Sequence, residues 1–292
     1  MQILIIGRNG QVAQSLAKIG HGRNISIAGR GDLDLADEFS IKNFLNNFAK
    51  TLSLDQKNVI INSAAYTNVE QAEDEEGLAM MVNARAQKII AEFAAKNGVL
   101  YVSYSTDYVF DGTSQVAYSE DSITNPINIY GASKLAGERE VENSGAEYLM
   151  LRTSWVFSPM GQNFVKKISQ LIKSRDQISV INDQIGKPTS SEFLAEITYS
   201  LIDLLGAKNN PKEIIHVSQE SEISWYGFAE KIKEIMGNQG AKIIPCLSSD
   251  FKTKAMRPKY SPLSTSKLQK IIGVENLRKW DIDLQNIIRL IE

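Results

Sequence analysis

The sequence predicts an α/β fold, a doubly wound parallel sheet with a smaller C-terminal substrate-binding lobe. Three observations predict it. Short apolar runs alternate with helical patterns through the first half, a glycine-rich turn joins the first run to the first helix, and the pattern loosens into longer loops after Arg152. Apolar runs that alternate with helices are the signature of a parallel sheet covered on both faces.

The elements follow in order. Ile3 to Ile6, Ile25 to Ala28, Val59 to Asn62 and Leu100 to Tyr104 are short, apolar and strand-like, and Tyr148 to Arg152 makes a fifth strand. Leu78 to Lys96 reads as a helix stopped by Gly98, which sits just past its end where a left-handed residue is wanted. Beyond Arg152, loops at Ser158 to Gln162 and Asn182 to Ser191 accompany helices near Phe164 to Ile172 and Phe193 to Leu205. Ile214 to Val217 reads as a strand of the smaller lobe. Trp225, Phe228, Ile232 and Ile235 keep one face of a helix ending at Gly237. Cys246 to Ser264, rich in Ser, Pro and Lys, reads as loop, and an amphipathic helix over Leu284 to Ile291 closes the chain.

Composition narrows the function. Lys plus Arg number 32 against 34 Asp plus Glu in 292 residues, so a formal charge of -2 offers no cationic field for nucleic acid or an anionic membrane. Cys246 is the only cysteine and His21 and His216 the only histidines, a poor set for structural zinc, and no metal is expected. The chain opens on its first strand without a signal-like segment, and no run reaches membrane-spanning length, so the expected location is the cytoplasm.

Gly7-Arg8-Asn9-Gly10-Gln11-Val12-Ala13 follows the first strand and opens a helix, where backbone N–H groups can face a pyrophosphate. This makes residues 1–152 the dinucleotide-binding (Rossmann) domain and 153–292 the substrate lobe, with some segments returning to the sheet. The second strand ends Ala28-Gly29-Arg30, without the carboxylate that usually binds the ribose of NAD. Two readings stand for Arg30: a guanidinium that meets the 2′-phosphate of NADPH, or a solvated strand-end arginine.

Tyr130 and Lys134, four residues apart on a predicted helix, share one face. A phenol near an ammonium suits proton donation to a carbonyl being reduced. Tyr104-Ser105-Thr106-Asp107 ends the fourth strand, where open α/β sheets place ligands. There Thr106 can bond a substrate oxygen, or serve simple turn chemistry.

Together with the glycine-rich turn, the segments NSAAYTNVEQAE (Asn62 to Glu73), YSTDYVFDG (Tyr104 to Gly112), YGASKLAGE (Tyr130 to Glu138), RTSWVF (Arg152 to Phe157), VINDQIGKPT (Val180 to Thr189) and RPKYSPLST (Arg257 to Thr265) resemble the extended short-chain dehydrogenases. Within them the resemblance is to the dTDP-4-dehydrorhamnose reductase family, over nearly the whole chain. It implies reduction of the C4 ketone of dTDP-4-dehydro-L-rhamnose by NADPH, with NADH also usable. Tyr130 would be the acid, Lys134 would lower its pKa and hold the nicotinamide ribose, and Thr106 would polarise the keto oxygen. Cofactor contacts would come from Gly7, Gly10, Gln11, Val12, Arg30, Asp34, Leu35, Ala65, Tyr66, Thr67, Tyr104, Tyr130 and Lys134. Thr106, Asp107 and Trp155 would touch the sugar nucleotide, and Arg257 its diphosphate, although Trp155 also reads as a core aromatic.

Some members of the family join subunits through magnesium held by glutamates. Here the first-helix position is Ser15, and only Glu192 matches a ligand, which puts a metal-linked homodimer in doubt. Two rival functions stay open: an epimerase or reductase of another nucleotide-linked keto sugar, and a non-catalytic NADP-binding regulatory subunit. Thr106, Tyr130 and Lys134, all present, argue against the second.

Overall fold

The computed structural model describes residues 1–208 and 210–291. Its centre is a six-stranded, wholly parallel sheet containing β1 (Gln2–Ile6), β2 (Asn24–Ala28), β3 (Asn58–Asn62), β4 (Leu100–Thr106), β5 (Tyr148–Thr153) and the strand Lys212–His216. The spatial order is β2-β1-β3-β4-β5 and then Lys212–His216. Strand order therefore reverses between β1 and β3, and the crevice beyond their carboxyl ends is where such sheets bind ligands.

Period-two alternation sends neighbouring residues to opposite faces. Ile3, Ile5, Val59 and Ile61 pack with Leu16 of the helix Gln11–Ile19 and with Phe193, Leu194 and Leu201 of the helix Ser191–Leu205. Leu4, Ile6 and Ile60 pack with Ile41 and Leu45 of Glu38–Ala49, Ile90 of Ala86–Asn97 and Val141 of Ile129–Asn143. The smaller lobe has its own core around Phe228, Trp280 and Leu284, built from the helices Phe164–Ser174, Trp225–Ile235 and Trp280–Ile291 over the parallel pair Gln177–Ile181 and Lys242–Cys246.

Several expectations are corrected. Ile214 to Val217 belongs to the main sheet rather than the lobe, since Ile214 and Ile215 pair with Met150 and Leu151 of β5. Cys246 ends a strand that the sequence reading missed. Its Pro245 fits because the strand has a single partner and needs no second row of N–H donors. The last helix starts at Trp280, ahead of Leu284. Leu78 to Lys96 is helical, but Met81–Arg85 forms a π-type turn within it, and Gly98 ends it at φ 63 as expected. Among the described residues, no helix is long and apolar enough to cross a membrane.

Candidate active site

At the switch point the glycine-rich turn is shaped by close approach. Gly7 has φ 116, and a Cβ there would come within 2.9 Å of Ser63 Oγ and 3.0 Å of the Ala64 nitrogen. Only glycine lets the turn pass this close to the end of β3. Gly10 caps the helix Gln11–Ile19 with no side-chain bond, leaving the first-turn N–H groups directed at the cleft. Gln11 is clasped from the lobe side, its Oε1 accepting from Ser158 Oγ and Asn163 Nδ2, each at 2.9 Å.

This cleft has a volume of about 650 Å³. It gathers every residue that the sequence assigned to a cofactor, from Gly7, Gly10, Gln11 and Val12 through Arg30, Asp34 and Leu35, Ala65, Tyr66 and Thr67, to Tyr104, Tyr130 and Lys134. Sequence reasoning missed Arg8, Ser105 and Thr153, which also line the cleft. Arg8 lay in plain view within the glycine-rich turn. The hydroxyls of Ser105 and Thr153 are buried without a hydrogen-bond partner, which no sequence pattern signals.

The far end of the cleft, beyond β2, carries two ion pairs. Arg8 Nη2 donates to Asp32 Oδ2 at 2.8 Å and to the Ile27 carbonyl at 2.9 Å. Arg30 Nε lies 3.4 Å from Asp34 Oδ2, with 81% of its side chain exposed.

At the near end, Asn128 caps the helix Ile129–Asn143 by accepting from the Gly131 nitrogen at 2.7 Å. One turn separates half-buried Tyr130 from buried Lys134, whose ammonium donates to the Tyr104 carbonyl at 2.7 Å. Burial pushes Lys134 down to about 8, with the Glu138 carboxylate pulling the other way. Lys134 was expected to lower the Tyr130 phenol. Instead burial pushes that phenol up to about 12, with the Thr106 hydroxyl easing it and the Asp107 charge pushing the same way as burial. Burial, the largest cause, thus favours the protonated phenol, the form a donor to a ketone needs.

The four residues assigned to the sugar nucleotide lie outside the walls of this cleft. Thr106 follows Ser105, which does line the cleft, at the end of β4. Asp107 is only 2% exposed, its oxygens accepting from Thr106 Oγ1 at 3.1 Å and Ser261 Oγ at 2.6 Å. It therefore faces inward and reaches the cleft through Thr106 rather than by its own carboxylate. Arg257 pairs with Glu70 at 2.5 Å, so a diphosphate would have to replace Glu70. Trp155 has φ 48, strained for a tryptophan, and stacks on Trp225 with centroids 3.4 Å apart. That stack joins it to the lobe core and covers one face of its ring.

Away from the cleft, Ser15 is buried and its hydroxyl bonds that of Ser191 at 2.7 Å, while Glu192 pairs with Lys18 at 2.5 Å. Among the described residues no group of three His, Cys, Asp or Glu side chains is placed to hold a metal.

The family described as RmlD substrate binding domain matches residues 1–292. A dTDP-4-dehydrorhamnose reductase of Sinorhizobium fredii is 36% identical, covering 99% of this chain and 97% of the relative. One from Salmonella typhimurium is 34% identical over the same shares. Among solved structures, the Bacillus anthracis dTDP-4-dehydrorhamnose reductase in complex with NADP superposes with a TM-score of 0.88 at 33% identity, covering 99% of both chains. A Bacillus cereus UDP-glucuronic acid 4-epimerase, at 17% identity and TM-score 0.79 over 100% of this chain and 99% of its own, shares the fold.

Proposed function

This chain belongs to the dTDP-4-dehydrorhamnose reductase family, and from that premise we propose that it reduces the C4 ketone of dTDP-4-dehydro-L-rhamnose to dTDP-L-rhamnose, using NADPH by preference and NADH as well. The observation that carries the reading is the meeting of Tyr130, one helical turn from buried Lys134, with a glycine cradle and helix N-terminus in one cleft.

The residues present fit a dinucleotide. A Cβ would fill the cradle at Gly7, guanidinium groups stand beyond β2, and two buried hydroxyls beside the cleft lack partners. Bound there, the reduced nicotinamide supplies a hydride. Gly7 and the N–H groups that follow Gly10 hold the pyrophosphate, and Ala65, Tyr66 and Thr67 shape the opposite wall. Tyr130 donates its proton to the ketone oxygen as the carbon is reduced, so the product gains one hydride and one proton. Lys134, one turn away, holds the nicotinamide ribose, and its charge favours the phenolate left behind. Thr106 polarises the keto oxygen, and Arg257 meets the substrate diphosphate in exchange for Glu70. Both reactants are charged nucleotides, and the proposed compartment is the cytoplasm.

The test mixes purified protein, NADPH and dTDP-4-dehydro-L-rhamnose and follows the absorbance of the reduced cofactor. Stoichiometric oxidation with formation of dTDP-L-rhamnose is expected. Product formed without net cofactor oxidation would identify an epimerase, and no reaction would refute the reading.

A further inference from the structure

Two buried hydroxyls at one end of the cleft have nothing in the protein to bond. Ser105 and Thr153 are 5% and 7% exposed, and neither Ser105 Oγ nor Thr153 Oγ1 has a hydrogen-bond partner. Among the described residues, the other buried side-chain atoms in that condition belong to residues that do not line the cleft. A buried hydroxyl without a partner is costly, so two kept on the wall of one cleft are matched to what that cleft binds.

Sheet order tells which part of a dinucleotide they meet. The glycine-rich turn follows β1 and the two guanidinium groups stand beyond β2, so a pyrophosphate over β1 sends the adenosine half toward β2. The nicotinamide half then runs the other way, past β3 to β4 and β5. Ser105 is the last residue but one of β4 and Thr153 the last of β5, and in that pair Ser105 stands opposite Arg152 and Thr106 opposite Thr153. Alternation puts the two hydroxyls on opposite faces of the sheet. Ser105 shares its face with Tyr101 and with Ser103, which donates to Gln87 at 3.0 Å. The helix bearing Lys134 packs on that same face, and its ammonium reaches the carbonyl of Tyr104, the residue before Ser105. Thr153 shares the other face with Leu149 and Leu151, one strand farther from the pyrophosphate. The Tyr104 hydroxyl at this end is already engaged, by Thr198 Oγ1 at 2.8 Å.

We propose that Ser105 bonds a hydroxyl of the nicotinamide ribose beside Lys134, and that Thr153 bonds the carboxamide of the nicotinamide ring. The proposal rests on the reductase reading for the presence of a dinucleotide. A serine or threonine hydroxyl donates once and accepts twice, and a ribose hydroxyl and a carboxamide each offer both a donor and an acceptor, so each pair is complementary. A carboxamide held at Thr153 also stops the ring from turning about its glycosidic bond, which keeps its reactive carbon aimed at the ketone.

Three ligands that differ by one piece separate the two contacts by calorimetry, without turnover. 2′,5′-ADP lacks the nicotinamide half, 2′-phospho-ADP-ribose adds the ribose, and NADP adds the ring. Thr153→Val keeps the shape and should weaken NADP by about fivefold while leaving the other two unchanged. Ser105→Ala should weaken NADP and 2′-phospho-ADP-ribose by about fivefold and spare 2′,5′-ADP. Thr153→Ser, which keeps the hydroxyl, should bind NADP as the wild type does. Equal weakening of all three ligands would mark a structural role, and unchanged affinities would mean that water serves the hydroxyls; either result overturns the proposal. A wild type that binds none of the three overturns it together with the reductase reading. One that binds NADP but reduces no keto sugar loses the substrate alone, and the affinity ratios still decide each hydroxyl.

Discussion

Cofactor choice should be set at the end of β2, by Arg8 together with Arg30. Arg30→Ala should lower the preference for NADPH over NADH by about fivefold. A well-formed charge-assisted bond contributes roughly 1.5–3 kcal/mol. Arg30 is 81% exposed and reaches Asp34 only at 3.4 Å, and a carboxylate so near also repels a phosphate. Screening and competition bring the contribution to about 1 kcal/mol, hence the fivefold change. Arg8 should matter at least as much, because its guanidinium is already ordered by the Ile27 carbonyl at 2.9 Å and Asp32 at 2.8 Å, and less rotamer freedom is lost on binding. Asp32→Asn should act in the opposite sense, freeing Arg8 and raising the preference. The assay is calorimetric affinity for 2′,5′-ADP against 5′-AMP, beside kcat/KM for the two reduced cofactors. A wild-type protein that favours NADH, or ratios unmoved in both arginine variants, would refute the assignment.

Tyr130→Phe keeps the ring and removes the donor, so reduction should fall by roughly 10²-fold or more while cofactor affinity, followed by fluorescence titration, changes little. Gly7→Ala would place a methyl within 2.9 Å of Ser63 Oγ at a φ of 116, so it should cost about 1–3 kcal/mol of stability in a denaturant titration and weaken dinucleotide binding. His216 is fully buried, bonds the Tyr118 carbonyl through Nδ1 at 3.1 Å and faces Arg152, and burial first, then that guanidinium, depresses it to about 3. A histidine depressed on folding binds more protons when unfolded. Its contribution is therefore present above about pH 6.5 and is lost as pH falls toward about 3, at up to about 1.4 kcal/mol per pH unit. Buried Asp107, raised to about 6, works the other way from its ordinary value near 4 up to about 6, so the net acid-side slope should steepen in Asp107→Asn and flatten in His216→Gln when unfolding midpoints are compared from pH 7 to pH 4.

The first five strands were legible because each centres on a short apolar run, and β3, β4 and β5 are buried along their whole length. The place of Lys212–His216 was not, since membership of a sheet edge depends on register with β5, some sixty residues away in the chain. The strand Lys242–Cys246 was hidden by a proline that ordinarily argues against strand. In the site, glycine spacing and the Tyr130 and Lys134 pair were readable as local patterns. What could not be read is which way the polar groups turn. Asp107 faces inward because Ser261, 154 residues later, supplies its second bond, and Lys134 faces a backbone carbonyl rather than the phenol beside it.

The helix that carries Tyr130 and Lys134 is held to the cofactor wall by a device that local propensity does not announce. Gly131 lies against the Tyr108 carbonyl and Gly137 against the Asn83 carbonyl, both so closely that any side chain would collide with backbone. Asn83 lies within the π-type turn Met81–Arg85. There its Oδ1 accepts from the Tyr66 nitrogen at 2.9 Å, and its Nδ2 donates to the Tyr66 carbonyl at 3.0 Å and to Ser133 Oγ at 3.0 Å. One buried amide thus ties the loop of Ala65, Tyr66 and Thr67 to the residue before Lys134. Such π-type turns concentrate at functional sites because they re-aim a side chain that a regular helix would point elsewhere. The consequence is mechanical: the wall that receives the dinucleotide and the helix that supplies the proton move as one body. The spacing between hydride donor and acid is then set by packing rather than by loop mobility, and reactions that need a near-attack geometry depend on such spacing.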